Sequence, residues 1–479
     1  MSFRKEFLSG VLYTSIAKYA GIFISMIVTF VLARILDPSD FAVIAIAVVI
    51  LNFLNLFTDF GLGPAIIQND DLSEVDIKSL FNFTILMGIA GGMFLLLASV
   101  PIAHYYENDQ LISVVRLLSI NIFFISFNTV PNALLIKQKQ FRLIAFRTLG
   151  FQLAAGIIAI ICALKGMGVY SLVVQYMVAN VGVTLFNYYC SPIPFSVILK
   201  SNSIKKILNF SVFQFLSSIV YFFSKEIDKL IIGKKMEFEE LGYYEKSYRL
   251  IQMPVSNLVS IFTPVIQPLF KDLNQDKHDF ETKFFTLTRY LSLLAFPLAT
   301  LLFFSGGDII YLFYGPKWGP AIVPFKMLSI AVGFQIIMST YMPIMQASGK
   351  VKIMLIASII EFCLIITFLS IGLYADNLVY VAFWVSISAI CNFIISTFLM
   401  GRFVIGSSVA KLFKNVLYGA IIAFFCIIPQ VVVNHLIPGE FSVLRLIINV
   451  ILVMGVVFFT TSWLKMISWK NLIELLKKK

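Results

Sequence analysis

The chain runs to 479 residues, 59% of them hydrophobic and only 13% charged, with a mean hydropathy of +0.92. So little polar surface excludes a soluble fold of this size and leaves an integral membrane protein. The net charge of +12 falls largely on short links at one membrane face, which reads as a topology signal and not as a nucleic-acid surface.

Apolar stretches of spanning length follow one another with little interruption. They lie at roughly 10–34, 41–66, 79–103, 111–135, 143–164, 168–190, 208–232, 240–270, 284–305, 320–346, 352–374, 378–401, 412–434 and 442–464, about fourteen in all. The runs are too long and too continuous for the alternating strands of a barrel, so the spans are helices. Met1 to Phe7 lead straight into the first run without a small-residue cleavage site, so the first helix is expected to be retained. The eighth run is long enough to tilt or to project from the bilayer.

With the N-terminus inside, the inner segments hold 22 of the 37 Lys and Arg residues, and the outer segments hold six: Arg34, Lys165, Lys234, Lys235, Lys317 and Arg445. Both termini are therefore expected on the cytoplasmic side. The tail Trp469–Lys479 reads as a basic amphipathic helix on anionic lipid.

The remaining nine basic residues fall inside spans: Lys18, Arg116, Arg147, Lys225, Lys229, Lys246, Arg249, Arg289 and Lys326. Only Asp59, Glu226, Asp228, Glu245 and Glu361 oppose them. An isolated charge at mid-bilayer costs at least about 2.5 kcal/mol, so this many cations imply a hydrated interior. Arg116, Arg147, Arg289 and Lys326 lie close enough to span ends to snorkel to a headgroup instead. Lys18, near the middle of the first span, and the group Lys225, Glu226, Asp228 and Lys229 are expected to face a lumen. Lys225 and Lys229 share a helix face, with Glu226 and Asp228 beside them as local ion-pair partners; purely structural pairing is the alternative.

An internal repeat supports two lobes. Sliding the chain by 200 residues sets Leu36-Asp37-Pro38-Ser39-Asp40 against Met236-Glu237-Phe238-Glu239-Glu240, and Pro64 then meets Pro264. A span, an acidic outer turn and a proline recur in order, as a parallel repeat about an axis normal to the membrane would leave them. Between the halves, Ser191 to Ile207 reads as a cytoplasmic linker with a short interfacial helix. Prolines inside spans, Pro131, Pro297 and Pro429 among them, bend or loosen their helices and suit lobes that rock.

Two stretches are recognisable at this point. Asp59-Phe60-Gly61-Leu62-Gly63-Pro64-Ala65-Ile66-Ile67-Gln68-Asn69-Asp70-Asp71-Leu72 is one, and Leu241-Gly242-Tyr243-Tyr244-Glu245-Lys246-Ser247-Tyr248-Arg249-Leu250-Ile251-Gln252-Met253-Pro254, continuing to Pro264-Val265-Ile266-Gln267-Pro268-Leu269, is the other. Both closely resemble the polysaccharide-transport branch of the multidrug/oligosaccharidyl-lipid/polysaccharide (MOP) exporter superfamily, the Wzx-type flippases. Gly315-Pro316-Lys317-Trp318-Gly319-Pro320-Ala321 is similar to that family's outer turn. The resemblance implies an all-α polytopic membrane protein of two pseudo-symmetric six-helix lobes plus a C-terminal helix pair. On that plan, 1–190 form the N-lobe, 191–207 the linker, 208–403 the C-lobe, and 404–479 the last two helices and the basic tail. It also implies a bacterial inner-membrane flippase for an undecaprenyl-diphosphate-linked oligosaccharide of lipopolysaccharide (O-antigen), capsule or exopolysaccharide, with a polymerase and glycosyltransferases as partners.

The residues agree with such a substrate. A lipid-linked oligosaccharide joins an anionic diphosphate, a polar glycan and an apolar tail, so its carrier needs a groove open to lipid, a wet cavity and cations. Lys18, Lys225, Lys229 and Arg249 are the expected phosphate or acidic-sugar contacts, with Arg147 and Arg289 behind them. Tyr243, Tyr244 and Tyr248 either stack on sugar rings or anchor an interface. No cofactor is expected; a proton or sodium gradient would drive transport, and Asp59, Glu226, Asp228 and Glu361 are the carboxylates placed to couple it. Asp59 also fits as the cap of a helix break before Gly61-Leu62-Gly63-Pro64, with Lys18 as its partner in the coupling reading.

Enzymatic classes find little support. His104, His278 and His435 fall in or beside links, no catalytic set gathers, and the short outer links give a polymerase or acyltransferase no domain for glycan chemistry. Cys162, Cys190, Cys363, Cys391 and Cys426 lie scattered in or at spans without metal-ligand spacing, and no phosphate-binding loop is present for direct ATP drive. Within transport, a multidrug extruder would want an acidic cavity for organic cations, and a peptidoglycan-precursor flippase would share the demand for cations.

Overall fold

The computed structural model describes residues 3–59, 62–68, 72–194, 219–272, 277–406, 409–439 and 442–463. Among the described residues every regular element is a helix. In order these are α1 (Phe3–Ile35), α2 (Pro38–Asp59), α3 (Leu62–Gln68), α4 (Glu74–Tyr106), α5 (Gln110–Lys137), α6 (Phe141–Leu164), α7 (Val169–Cys190), α8 (219–235), α9 (Phe238–Asp272), α10 (Lys277–Phe304) and α11 (Gly306–Phe313). A 3-10 turn, Pro316–Ala321, leads to α12 (Ile322–Ser329), α13 (Val332–Met338), α14 (Tyr341–Ala347), α15 (Val351–Leu373) and α16 (Leu378–Leu399). A π-helical turn, Met400–Ile405, closes α16 before α17 (Val409–Leu436) and α18 (Val443–Trp463).

Eleven of these helices are long and apolar enough to cross a membrane, and a bent pair over Pro316–Ala347 makes a twelfth. They account for all the expected spans but the seventh and eighth, which run partly through residues or side chains outside the described ones. The interfacial helix expected in the linker and the amphipathic tail also lie outside them.

Two expected spans have a different shape. The second ends at Asp59 and is followed by the separate short helix α3; Pro64 has no backbone N–H with which to continue the ladder of the longer helix. The tenth is broken, with a bend of 52° between its halves. Ser329, Ser339 and Thr340 turn their hydroxyls back onto the carbonyls of Lys326, Ile336 and Ile337 at 2.6–2.8 Å, competing with the backbone ladder where the helix fails.

Contacts divide the chain into two units, Met1–Gly242 and Tyr243–Lys479. In the first, α1 packs on α6, α4 on α5, α7 on both α5 and α6, and α3 on α5. The core beneath α3 holds Leu62, Ile66, Leu80, Phe81, Val130, Ala133 and Ile193. Ser73 and Asp76 start α4 with a reciprocal capping box, and Glu107 ends it in the left-handed conformation at φ 55°. In the second unit α10 packs along α17, α15 on α16, and α17 on α18. Gly419 lets α17 approach α10 so closely that a side chain there would meet the Ser292 carbonyl. Phe424, Phe425 and Ile428 of α17, with Ile451, Met454 and Phe459 of α18, are left exposed, as lipid-facing helices require.

The residues that the 200-residue offset pairs have the same local structure. α1 ends at Ile35 and α2 begins at Pro38; α8 ends at 235 and α9 begins at Phe238. The copies then diverge, because α2 stops at Asp59 whereas α9 continues to Asp272.

Candidate functional site

Four of the six charges of α8, Lys225, Glu226, Asp228 and Lys229, fall on one turn and a half of helix. Lys229 Nζ lies 2.7 Å from Glu226 Oε2, and this pair is largely sheltered, with side-chain exposures of 12% and 25%. Asp228 is buried and accepts the backbone N–H of Lys229 at 2.8 Å. Lys225 sits 5.7 Å from the centre of the Tyr221 ring. Phe222 and Phe223 place this helix against Phe53 of α2. Its C-terminal part is tied down by Tyr106, whose hydroxyl donates to the Leu230 carbonyl at 3.3 Å, and by Lys234, 2.7 Å from Glu107. The Lys234 ammonium holds the exposed Glu107 carboxyl below its ordinary pKa through their hydrogen bond and charge.

Lys18 is exposed on α1. The side chain of Asp59, its expected partner, lies outside the described residues.

Arg147 differs from its expected neighbours. Rather than snorkelling, it is 8% exposed and donates from Nη2 to Asn132 Oδ1 of α5 at 2.9 Å, while Nε and Nη1 have no partner. Arg116 is exposed and reaches Ser99 of α4 at 3.2 Å. In the second unit Arg289 is half-buried, its guanidinium 5.1 Å from the centre of the Tyr418 ring and its Nε without a partner. Glu361 lies half-buried on α15.

Arg249 is exposed, but Lys246, one turn earlier, is only 2% exposed, its ammonium 5.9 Å from the centre of the Tyr314 ring. Tyr314 and Tyr243 both pack on the fully buried Trp318, at 5.3 and 5.9 Å between ring centres. Ser247 Oγ donates to the Ala321 carbonyl at 2.9 Å. The second recognised stretch and the outer turn Gly315–Ala321 are thus one interlocked structure. Tyr244, with no exposure, stacks on Tyr248 in the core rather than meeting sugar or an interface.

Two features escaped sequence reasoning. Lys246 stood among nine membrane-embedded cations without being singled out, although Leu241, Tyr244, Ser247, Ile251 and Val255 mark a buried face beside it at helical spacing. Asp308 and Arg445 form a buried two-pronged ion pair at 2.6 and 2.8 Å, and no local signal joins residues so far apart in the chain. Among the described residues no three His, Cys, Asp or Glu side chains gather as a metal site. Of the cations within the spans, Arg147 and Lys246 are thus buried and Lys229 is largely sheltered, whereas Lys18, Arg116 and Arg249 are exposed.

The family model described as polysaccharide biosynthesis protein matches residues 31–323. The chain belongs to that family. It is similar to the lipopolysaccharide biosynthesis protein WzxC of Escherichia coli (strain K12), 24% identical over 91% of this chain and 88% of the relative. It is also similar to the teichuronic acid biosynthesis protein TuaB of Bacillus subtilis (strain 168), at 23% over 87% and 86%. Among solved structures, the lipid II flippase MurJ in an inward closed conformation superposes with a TM-score of 0.76 at 15% identity, covering 97% of this chain and all of that one. An inward-facing multidrug resistance MATE family transporter of the MOP superfamily gives 0.65 at 16% identity, over 82% and 96%. The fold is therefore the MOP exporter fold, and this member of the polysaccharide biosynthesis family is a multi-pass membrane protein.

Proposed function

We propose that this protein flips an undecaprenyl-diphosphate-linked oligosaccharide from the cytoplasmic to the outer leaflet of the bacterial inner membrane, for lipopolysaccharide, capsule or exopolysaccharide synthesis. The observation that carries the reading is a cation excess within the spans of a polysaccharide-family member, with Arg147 and Lys246 buried and Lys229 largely so. Lys18, Lys225, Lys229 and Arg249 are the main substrate contacts and Arg147 and Arg289 the secondary ones. Each lowers the cost of carrying a diphosphate through a low-dielectric interior.

Transport proceeds by alternating access, and a proton or sodium gradient drives the cycle through Asp59, Glu226, Asp228 or Glu361. Both termini lie in the cytoplasm, and a polysaccharide polymerase and glycosyltransferases are the partners of this reading. A peptidoglycan precursor is the alternative cargo, favoured by the likeness to MurJ. Organic cations are disfavoured by nine basic against five acidic residues within the spans.

Reconstitution in liposomes with a labelled lipid-linked oligosaccharide and, separately, a fluorescent organic cation tests the reading. Protein-dependent movement of the glycan lipid alone is expected; movement of the cation alone places this chain with the drug extruders and ends the proposal.

A further inference from the structure

The first unit contains a buried charge, Arg147, that meets no carboxylate in any ion pair among the described residues. Residues 110–194, which build α5, α6 and α7, carry Arg116, Lys137, Lys139, Arg142, Arg147 and Lys165 but not one Asp or Glu. Lys137, Lys139, Arg142 and Lys165 lie at or beside helix ends, and Arg116 is exposed. Arg147, a turn and a half into α6, is 8% exposed. Its one hydrogen bond is to the neutral amide of Asn132, and the three N–H groups on Nε and Nη1 have no acceptor among the described residues.

Beyond Asn132, α5 and α7 carry further buried polar groups, some of them idle. Asn121, Asn128 and Asn132 are spaced by seven and four residues, which puts them on one face of α5. Asn187 of α7 donates to Asn128 Oδ1 at 2.6 Å while its own Oδ1 has no partner. Thr184 Oγ1 reaches the Phe124 carbonyl of α5 at 3.0 Å. Asn121 is fully buried with both side-chain polar atoms unpartnered. An amide seam thus runs along α5 and α7, with Arg147 of α6 at the end nearer the start of its own helix.

Buried polar groups are satisfied almost everywhere in proteins, and an ionised one needs a charge as well as acceptors. Water supplies acceptors and leaves the charge uncompensated. An oxyanion supplies both, and its several oxygens suit a guanidinium whose N–H groups point to more than one side.

We propose that Arg147, with Asn132 and the α5–α7 amide seam behind it, is a buried binding site for a phosphate-class oxyanion. The site grips either a diphosphate or the phosphate of an anionic lipid headgroup. It gives the flippase reading one defined anion subsite, and it rests on that reading only for the class of anion. Its test measures binding and not transport, so either can fail alone.

Full-length protein in phosphatidylcholine nanodiscs is titrated with inorganic pyrophosphate, with chloride at matched ionic strength as the comparison, following Tm and heat of binding. Wild type is expected to respond to pyrophosphate and not to chloride. Arg147→Lys keeps the charge but loses the planar fork, and should bind about tenfold more weakly. Asn132→Asp sets a carboxylate where the amide lies 2.9 Å from the guanidinium; it should raise Tm without ligand and abolish the response. Lys283→Gln, at an exposed residue of α10 outside the proposed substrate contacts, should respond as wild type does. If phosphatidylglycerol nanodiscs remove the pyrophosphate response, the site is already held by a lipid headgroup; a persisting response assigns it to a free or substrate phosphate, and both uphold the site. No pyrophosphate response in wild type, an equal response to chloride, or an unchanged response in Asn132→Asp overturns it.

Discussion

Removing the carboxylate of Asp308 should loosen the attachment of the last two helices at the outer end of the second unit. Asp308 is 1% exposed and accepts from Arg445 Nε at 2.8 Å, from Arg445 Nη2 at 2.6 Å and from the Ser442 backbone at 2.8 Å. Asp308→Ala leaves all three donors without that acceptor. Arg445 Nη1 keeps its bonds to the Ile437 and Gly439 carbonyls, at 3.0 and 2.9 Å, so the guanidinium stays in place and stays charged. Hydrogen bonds to charged groups contribute about 1.5–3 kcal/mol each, and losing one partner of a buried pair costs about 3–5 kcal/mol after the recovered solvation of the carboxylate. We expect about 3 kcal/mol, since two of the bonds to Arg445 survive. The double variant Asp308→Ala with Arg445→Met should cost little more than the single one, a coupling of about 2 kcal/mol or more. Denaturant unfolding in detergent, with proteolysis of the α17–α18 link as a local reading, measures both. A single variant within about 1 kcal/mol of wild type, or additive single costs, would refute the claim that the pair acts as one clamp.

The other expectations concern the same scaffold. Gly242→Ala puts a methyl group against the Pro38 carbonyl, a backbone atom that cannot swing aside, and should cost about 1–3 kcal/mol in unfolding experiments; an unchanged midpoint would show that the α1–α2 turn yields. Lys225→Gln with Lys229→Gln should cut glycan-lipid movement at least tenfold while leaving membrane insertion intact, and full transport would remove both from the mechanism. Lys246→Met keeps the buried volume and loses the ammonium beside Tyr314, so near-normal stability with impaired transport is expected; normal transport would leave Lys246 a filler of the core. Glu107 has a folded pKa below its unfolded one, so the Lys234 pair contributes above the unfolded pKa and is lost as pH falls through the folded value. Glu107→Gln should flatten the dependence of Tm on pH in that acid window alone, and an unchanged acid limb would exclude the pair as its source.

The membrane class and most of the helix plan were legible because each span must satisfy its own backbone hydrogen bonds. Length and apolarity are local properties, and α4 to α7, α10 and α15 to α18 follow from them. The tenth span was not legible, since its apolar run masked hydroxyls that fold back on the ladder at Ser329, Ser339 and Thr340. Family resemblance lay in short stretches whose packing explains their wording: Gly242 for close approach to Pro38, and Ser247 for its bond to the outer turn.

The charges divide differently. Sequence alone established that cations outnumber acids inside the bilayer and that Glu226 and Lys229, three residues apart, could meet; the structure places them at 2.7 Å. It could not establish that Arg147 is buried while Arg249 is exposed, that Lys246 lies under Tyr314, or that Arg445 at the start of α18 closes on Asp308. Hydropathy reports how a segment partitions into lipid and is nearly the same for every span. The partner of a charge depends on which helix faces meet, and only tertiary packing decides that.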